Sequence, residues 1–128
     1  MIDLHQIKNG IFQEFHEDDV GLWSILWDVR YALNGGTYPG PGEDRSDPRE
    51  VRRLTMSLVR ELLESGKVWA GFPTPDGRGF VPWKLTPDEA VARINAAWDA
   101  LGREPNIGDI VWFAAADEKR LSGAGAGA

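Results

Sequence analysis

The sequence has no cysteine, two histidines and four lysines among 128 residues. The absence of cysteine excludes disulfides, thiolate metal sites and cysteine nucleophiles. No apolar run approaches the ~18 residues that a membrane span needs, and the first ten residues lack the basic-then-apolar pattern of a signal peptide. These absences predict a cytoplasmic protein without a membrane segment. With 42% hydrophobic residues and six tryptophans, the chain can still fill the core of one domain.

The net charge of −6 is unevenly distributed along the chain. Residues 1–44 contain eight acids and two bases, whereas residues 45–66 contain five arginines and four acids. A one-sided negative field attracts cationic partners and repels phosphate backbones. A solvated acidic face that only keeps the protein soluble is the simpler alternative, and both interpretations stay open.

Helical spacing of apolar residues recurs along the chain. Residues 2–15 have this spacing with a break at Asn9-Gly10, which predicts one short helix or two turns. Residues 17–34 are predicted to form a helix with three acids in its first turn, near the positive end of its dipole. A Gly- and Pro-rich loop, 35–46, follows. Asp47 and Pro48 are typical of a helix start, so a second long helix is predicted over 47–65.

The second half of the chain predicts a β-hairpin, a helix and a final strand. Residues 67–72 and 79–83 have strand character, and Asp76-Gly77 between them is a strong turn signal. The next helix is predicted to begin at Thr86, with Glu89 completing a capping box. Residues 107–114 are predicted to form a short strand. Together, residues 1–114 make one domain, and residues 115–128 make a flexible Gly/Ala tail.

The order of helix, helix and two-stranded hairpin predicts an α+β fold of the winged-helix type, extended by a C-terminal helix and strand. The join ELLESGKVWAGF resembles the passage from recognition helix to wing in such domains. The stretch VPWKLTPDEAVARINAAWDALGREPNIGDIVWF is similar to the C-terminal half of small, largely uncharacterised winged-helix-like proteins of high-GC bacteria. That resemblance implies no particular chemistry. Some small proteins of this sort neutralise toxins.

No motif in the sequence indicates catalysis or a cofactor. His5 and His16 are the only histidines, and the acids next to His16 would point in different directions on a helix, so no metal site is predicted. The run GGTYPGPG lacks the Lys-Ser/Thr of a phosphate loop. There is no Gly-x-Ser-x-Gly elbow for a serine nucleophile. We therefore expect a protein that is not an enzyme and needs no cofactor, although a pair of catalytic carboxylates leaves no signature in a sequence.

The first long helix combines acids with an aromatic stripe, which is typical of a protein-binding surface. Tryptophan and tyrosine are common interface anchors, and nearby acids would steer a basic partner. This predicts an immunity- or antitoxin-type protein that masks a basic partner. The same stripe could be core, or could pair with itself in a homodimer. The predicted partner-binding residues are Glu14, Glu17, Asp18, Asp19, Trp23, Trp27 and Tyr31.

A DNA-binding regulator is the alternative that the predicted fold favours. Arginines lie along one side of helix 47–65 and at the predicted wing tip, where winged helices contact DNA. The acids on the same helix and the sequence pI of about 4.8 argue against this alternative. The alternative DNA-binding residues are Arg49, Arg52, Arg53, Arg60 and Arg78.

Overall fold

The computed structural model describes residues 3–15 and 18–117. In these residues the chain forms an α+β fold with four helices and one four-stranded antiparallel sheet. The elements, in chain order, are α1 (Leu4–Glu14), β1 (Val20–Gly21), α2 (Leu22–Leu33), α3 (Pro48–Glu64), β2 (Val68–Pro73), β3 (Phe80–Pro82), α4 (Pro87–Leu101) and β4 (Trp112–Ala115).

The capping residues that the sequence indicates begin two of the helices. The side chain of Asp47 accepts a hydrogen bond from the backbone N–H of Arg49 at 2.9 Å, directly before α3. Thr86 and Glu89 form a reciprocal capping box at the start of α4. These bonds satisfy backbone N–H groups that have no partner within the first turn of a helix.

The sheet has the strand order β1-β4-β2-β3. The β2–β3 hairpin confirms the predicted one, but the sheet contains a fourth strand that the sequence did not predict. This strand, β1, has only two residues, and its Val20 and Gly21 pair with Phe113 and Trp112 of β4. The final strand thus lies in the middle of the sheet, between the hairpin and the N-terminal part of the chain.

Pairing of β1 moves the start of the first long helix. The helix predicted over 17–34 begins only at Leu22, with Gly21 as its N-cap residue, because the backbone of residues 20 and 21 is engaged in the sheet. The sequence analysis predicted Asp18 and Asp19 in the first turn of this helix. That prediction is wrong, because both residues precede β1. In contrast, α1 continues through Gly10 as one helix.

Helix α3 occupies the centre of the molecule and packs against the other three helices and β2. Met56 has helical spacing from Arg53 and Arg60, but it is only 8% exposed. Helix α3 is in contact with α4 as well as with α1 and α2. Eight of its side chains are buried: Val51, Leu54, Thr55, Met56, Leu58, Val59, Leu62 and Leu63.

Arg30 of α2 joins three segments of the chain. Its side chain is buried, and its Nε lies 2.8 Å from Oδ2 of Asp44 in the loop that follows α2. Its Nη2 pairs with Glu104, which follows α4. Asp44 also accepts hydrogen bonds from Ser46 and Asn34, and these bonds and the guanidinium lower its pKa to about 2. This network holds the Gly- and Pro-rich loop against the helices.

Gly71 allows a close approach of β2 and β3. A Cβ atom at this position would lie 2.1 Å from the carbonyl oxygen of Val81 and 2.9 Å from Cα of Pro82. Both are backbone atoms, so a side chain cannot be accommodated by a simple rotamer change. The hairpin therefore requires glycine at residue 71.

No helix among the described residues is long and apolar enough to cross a membrane. The predicted tail over 115–128 lies almost entirely outside the described residues, although Ala115 itself is the last residue of β4.

Candidate functional site

A cleft between α1, α2 and α3 has a volume of about 1200 Å³. Its apolar floor comes from Ile11 and Leu54, which belong to the core or its edge. The polar side chains are contributed by all three helices. Those that can carry a charge are Asp3, Glu14, Asp28, Glu50 and Arg53.

A pair of carboxyl groups connects α1 to α2 in this cleft. Glu14 and Asp28 are joined by a side-chain hydrogen bond, and the pKa of Asp28 is raised from 3.8 to about 7. Burial is the larger cause, and the negative charge and hydrogen bond of Glu14 add to it. Two hydrogen-bonded carboxyl groups share a proton more easily than they carry two charges.

Two tyrosine rings stand next to the carboxyl pair. Tyr31 of α2 and Tyr38 of the following loop have ring centroids 4.7 Å apart with planes at 48°. Their exposed fractions are 40% and 62%. The pKa of Tyr38 is raised, first by burial and then by the negative charges of Asp28 and Glu14. The phenol group of Tyr38 is therefore close enough to the carboxyl pair to be influenced by its charge.

The α3 side of the cleft carries an ion pair. Arg53 donates from Nε to Oε2 of Glu50 at 3.1 Å, and a second hydrogen bond joins the same two side chains. The bond from Arg53 lowers the pKa of Glu50. The only guanidinium that the described residues contribute to the cleft lining is thus already paired. The cleft keeps an excess of carboxyl groups, together with exposed aromatic surface.

The structure places the predicted partner-binding residues in different surroundings. Glu14 and Tyr31 line the cleft. Asp18 is exposed and Asp19 half-buried, both before β1 and outside the cleft lining. Glu17 lies outside the described residues.

The two tryptophans of the predicted stripe are half-buried. Trp27 packs against the core, and its ring lies 5.1 Å from Cζ of the Arg30 guanidinium. Trp23 does not line the cleft either. The three aromatic residues of the predicted stripe therefore do not form one surface, because of these three only Tyr31 lines the cleft.

The sequence analysis missed Asp28, which lines the cleft, and Tyr38, whose ring contacts Tyr31 beside it. Asp28 is the single acid of α2 and lies between apolar neighbours. An acid in such surroundings was the feature of the sequence that could have indicated a partly buried carboxyl group. Tyr38 lies in a loop whose path depends on the Arg30 network, so no periodicity could place it.

Three of the alternative DNA-binding arginines are engaged within the molecule. Arg52 lies 4.8 Å from the Trp98 ring and pairs with Asp99 of α4 at 2.8 Å. Arg53 pairs with Glu50, as described, and Arg60 pairs with Asp88. Arg49 and Arg78 are exposed. The arginines therefore do not form one continuous cationic strip, since the outer side of α3 ends in exposed Glu61 and Glu64.

Within residues 3–15 and 18–117, no three histidine, aspartate or glutamate side chains lie close enough together to hold a metal ion. Comparisons with protein-family models, with curated protein sequences and with solved structures found no match for the chain. Function therefore has to be inferred from the geometry of the cleft.

Proposed function

We propose that the protein is a non-catalytic binding domain that masks a basic protein partner, in the manner of an immunity protein or antitoxin. The observation that carries the proposal is the convergence of acids and exposed tyrosine in one concave surface. Asp3, Glu14 and Asp28 reach the cleft from two helices, and Tyr31 lines it. A cationic side chain that entered would meet carboxyl groups with little competing positive charge.

The composition of the cleft fits a protein surface as its ligand. Tyrosine supplies large contact area at low entropic cost, and it can stack on guanidinium groups. Carboxylates in a concave surface focus the electric field and accelerate association with a positively charged partner. The cleft admits one or more side chains of such a partner. Exposed Asp18, whose backbone N–H donates to the carbonyl oxygen of Glu14, adds negative charge close to the cleft.

Removal of carboxylates from the cleft is expected to weaken partner binding. We expect the double variant Asp3→Asn and Glu14→Gln to lose at least ~10-fold in affinity, because close charge pairs at interfaces contribute measurably. Asparagine at residue 3 preserves the helix cap, so folding should be retained. The measurement is capture of a partner from the source cell by tagged protein, followed by titration with that partner over a series of salt concentrations.

A matched control removes two charges elsewhere. Glu61 and Glu64 are exposed at the far end of α3 and do not line the cleft, so the double variant Glu61→Gln and Glu64→Gln should bind almost as well as the wild type. Equal losses in both double variants, capture of acidic proteins only, or recovery of no partner would each contradict the proposal.

A winged-helix transcription regulator is the alternative proposal. The order α1-β1-α2-α3-β2-β3, with Arg78 in the hairpin turn, supports it. The internal ion pairs of Arg52, Arg53 and Arg60 count against it, because paired guanidinium groups are less available to phosphates.

A gel-shift assay with genomic fragments separates the two proposals. We expect no salt-dependent shift at any protein concentration that saturates the protein partner. A shift that weakens with salt, and that is abolished by Arg49→Ala with Arg78→Ala, would establish DNA binding instead.

A further inference from the structure

Two exposed tyrosine rings form a ledge at the cleft. In this Tyr31–Tyr38 ledge the ring centroids are 4.7 Å apart, and the two residues are 40% and 62% exposed. Two hydrogen bonds hold the chain between them. The backbone N–H of Gly36 donates to the carbonyl oxygen of Tyr31 at 2.9 Å, and the hydroxyl of Thr37 donates to the carbonyl oxygen of Asn34 at 3.0 Å. The ledge is therefore already formed in the chain by itself.

A carboxyl group lies beside the ledge on the same helix. Asp28 and Tyr31 are three residues apart in α2, which makes their side chains neighbours on the helix surface. Both residues line the cleft. Asp28 is half-buried, so water screens its charge less than it screens a charge on the open surface. An aromatic face and a carboxyl group thus stand next to each other in one concave surface.

We propose that this part of the cleft is a subsite for an arginine side chain of the partner, and that it selects arginine over lysine. The guanidinium group stacks on the Tyr31–Tyr38 ledge and donates hydrogen bonds to the carboxylate of Asp28. The inference rests on the proposed binding function, and it names the side chain that the basic partner inserts into the cleft.

Guanidinium and ammonium groups differ in the two properties that this subsite uses. A guanidinium is planar and weakly hydrated, so it stacks on an aromatic face, and its fork of N–H groups matches the two oxygens of a carboxylate. An ammonium is a compact, strongly hydrated charge without that shape. Both guanidinium contacts already occur in this protein. Cζ of Arg93 lies 4.1 Å from the centroid of the Trp83 ring, and Arg53 donates two hydrogen bonds to Glu50 in the cleft itself.

Binding of two peptides to the full-length protein tests the subsite. Hexa-arginine and hexa-lysine carry the same charge, so a difference in affinity reports the chemistry of the side chain. We expect the wild type to bind hexa-arginine at least ~5-fold more tightly in calorimetric titrations at low salt. The titrations are run at pH 8, because burial is the main cause that raises the pKa of Asp28 to about 7, and its carboxyl group is then mostly ionised.

Variants of the subsite should lower the preference for arginine. Tyr31→Leu keeps an apolar side chain but loses the ring, so the ratio of the two affinities should fall to about 2 or less. Asp28→Asn should weaken the binding of hexa-arginine by ~3-fold or more, because the charge-assisted hydrogen bonds are lost. Phe72→Leu is the matched control and should keep the wild-type ratio. Phe72 is 39% exposed, as Tyr31 nearly is, but it belongs to β2 and lies outside the cleft lining.

The arginine subsite is overturned if the wild type binds the two peptides equally, or if Phe72→Leu lowers the ratio as much as Tyr31→Leu does. Wild-type affinity for hexa-arginine in Asp28→Asn would also overturn it. These outcomes leave the proposed function standing, because hexa-lysine is a basic ligand too and a partner can still be captured from the source cell. Failure to capture any partner contradicts the proposed function, whatever ratio the peptides give.

Discussion

Replacement of Gly71 by alanine is expected to lower the free energy of unfolding by about 3 kcal/mol or more. The new Cβ atom would lie 2.1 Å from the carbonyl oxygen of Val81, which real contacts do not approach. Because β2 pairs with both β3 and β4 through this residue, the clash would distort the central part of the sheet. Chemical denaturation, followed by the fluorescence of the tryptophans, measures the loss.

Gly21 provides a matched control in the same sheet. A Cβ at residue 21 would meet the ring of Trp112 at 3.5 Å, which is an ordinary van der Waals contact. We expect Gly21→Ala to change the free energy of unfolding by less than about 1 kcal/mol, since only the N-cap preference of α2 is affected. If Gly71→Ala were as mild as Gly21→Ala, the close approach of β2 and β3 would be disproved.

Replacement of Arg30 by methionine is expected to cost about 2–3 kcal/mol. The variant keeps most of the aliphatic side chain but leaves the carboxylates of Asp44 and Glu104 without their shared guanidinium. Breaking a fully buried ion pair costs about 3–5 kcal/mol. The expected value is smaller because the two acidic side chains are 34% and 37% exposed, so water can partly solvate them.

Two measurements check this expectation. Thermal unfolding should show a clearly lower Tm for Arg30→Met, and limited proteolysis should cleave the loop over residues 35–46 faster than in the wild type. Arg53→Met, which breaks the exposed pair with Glu50, should leave the Tm unchanged within error. A loop that stays resistant in Arg30→Met would show that the Arg30 network does not anchor it.

The elements that could be predicted from the sequence are those specified by local signals. Helix α3 begins at Asp47-Pro48, and α4 begins at the capping box of Thr86 and Glu89. The turn between the hairpin strands was predicted from Asp76-Gly77. Strand β1 could not be predicted, because two residues have no periodicity and their partner strand lies about ninety residues further along the chain. The start of α2 was misplaced for the same reason.

The cleft was only partly predictable. Glu14 was predicted from the concentration of acids in residues 1–44, and Tyr31 was predicted from the aromatic stripe of the first long helix. The pairing of Glu14 with Asp28 depends on the angle at which α1 crosses α2, which no spacing within either helix encodes. The ion pairs of Arg52 and Arg60 could not be predicted, because the sequence does not show that α4 packs beside α3 and provides Asp99 and Asp88 as their partners.

The central position of β4 has a consequence for synthesis on the ribosome. Among the described residues, β1 pairs with β4 alone, and β2 pairs with β4 on one side. As translation proceeds from the N-terminus, β1 stays unpaired until residues 112–115 have left the exit tunnel. We therefore expect nascent chains stalled before residue 112 to lack the complete sheet, and to be cleaved by proteases faster than chains in which residues 112–115 have left the tunnel.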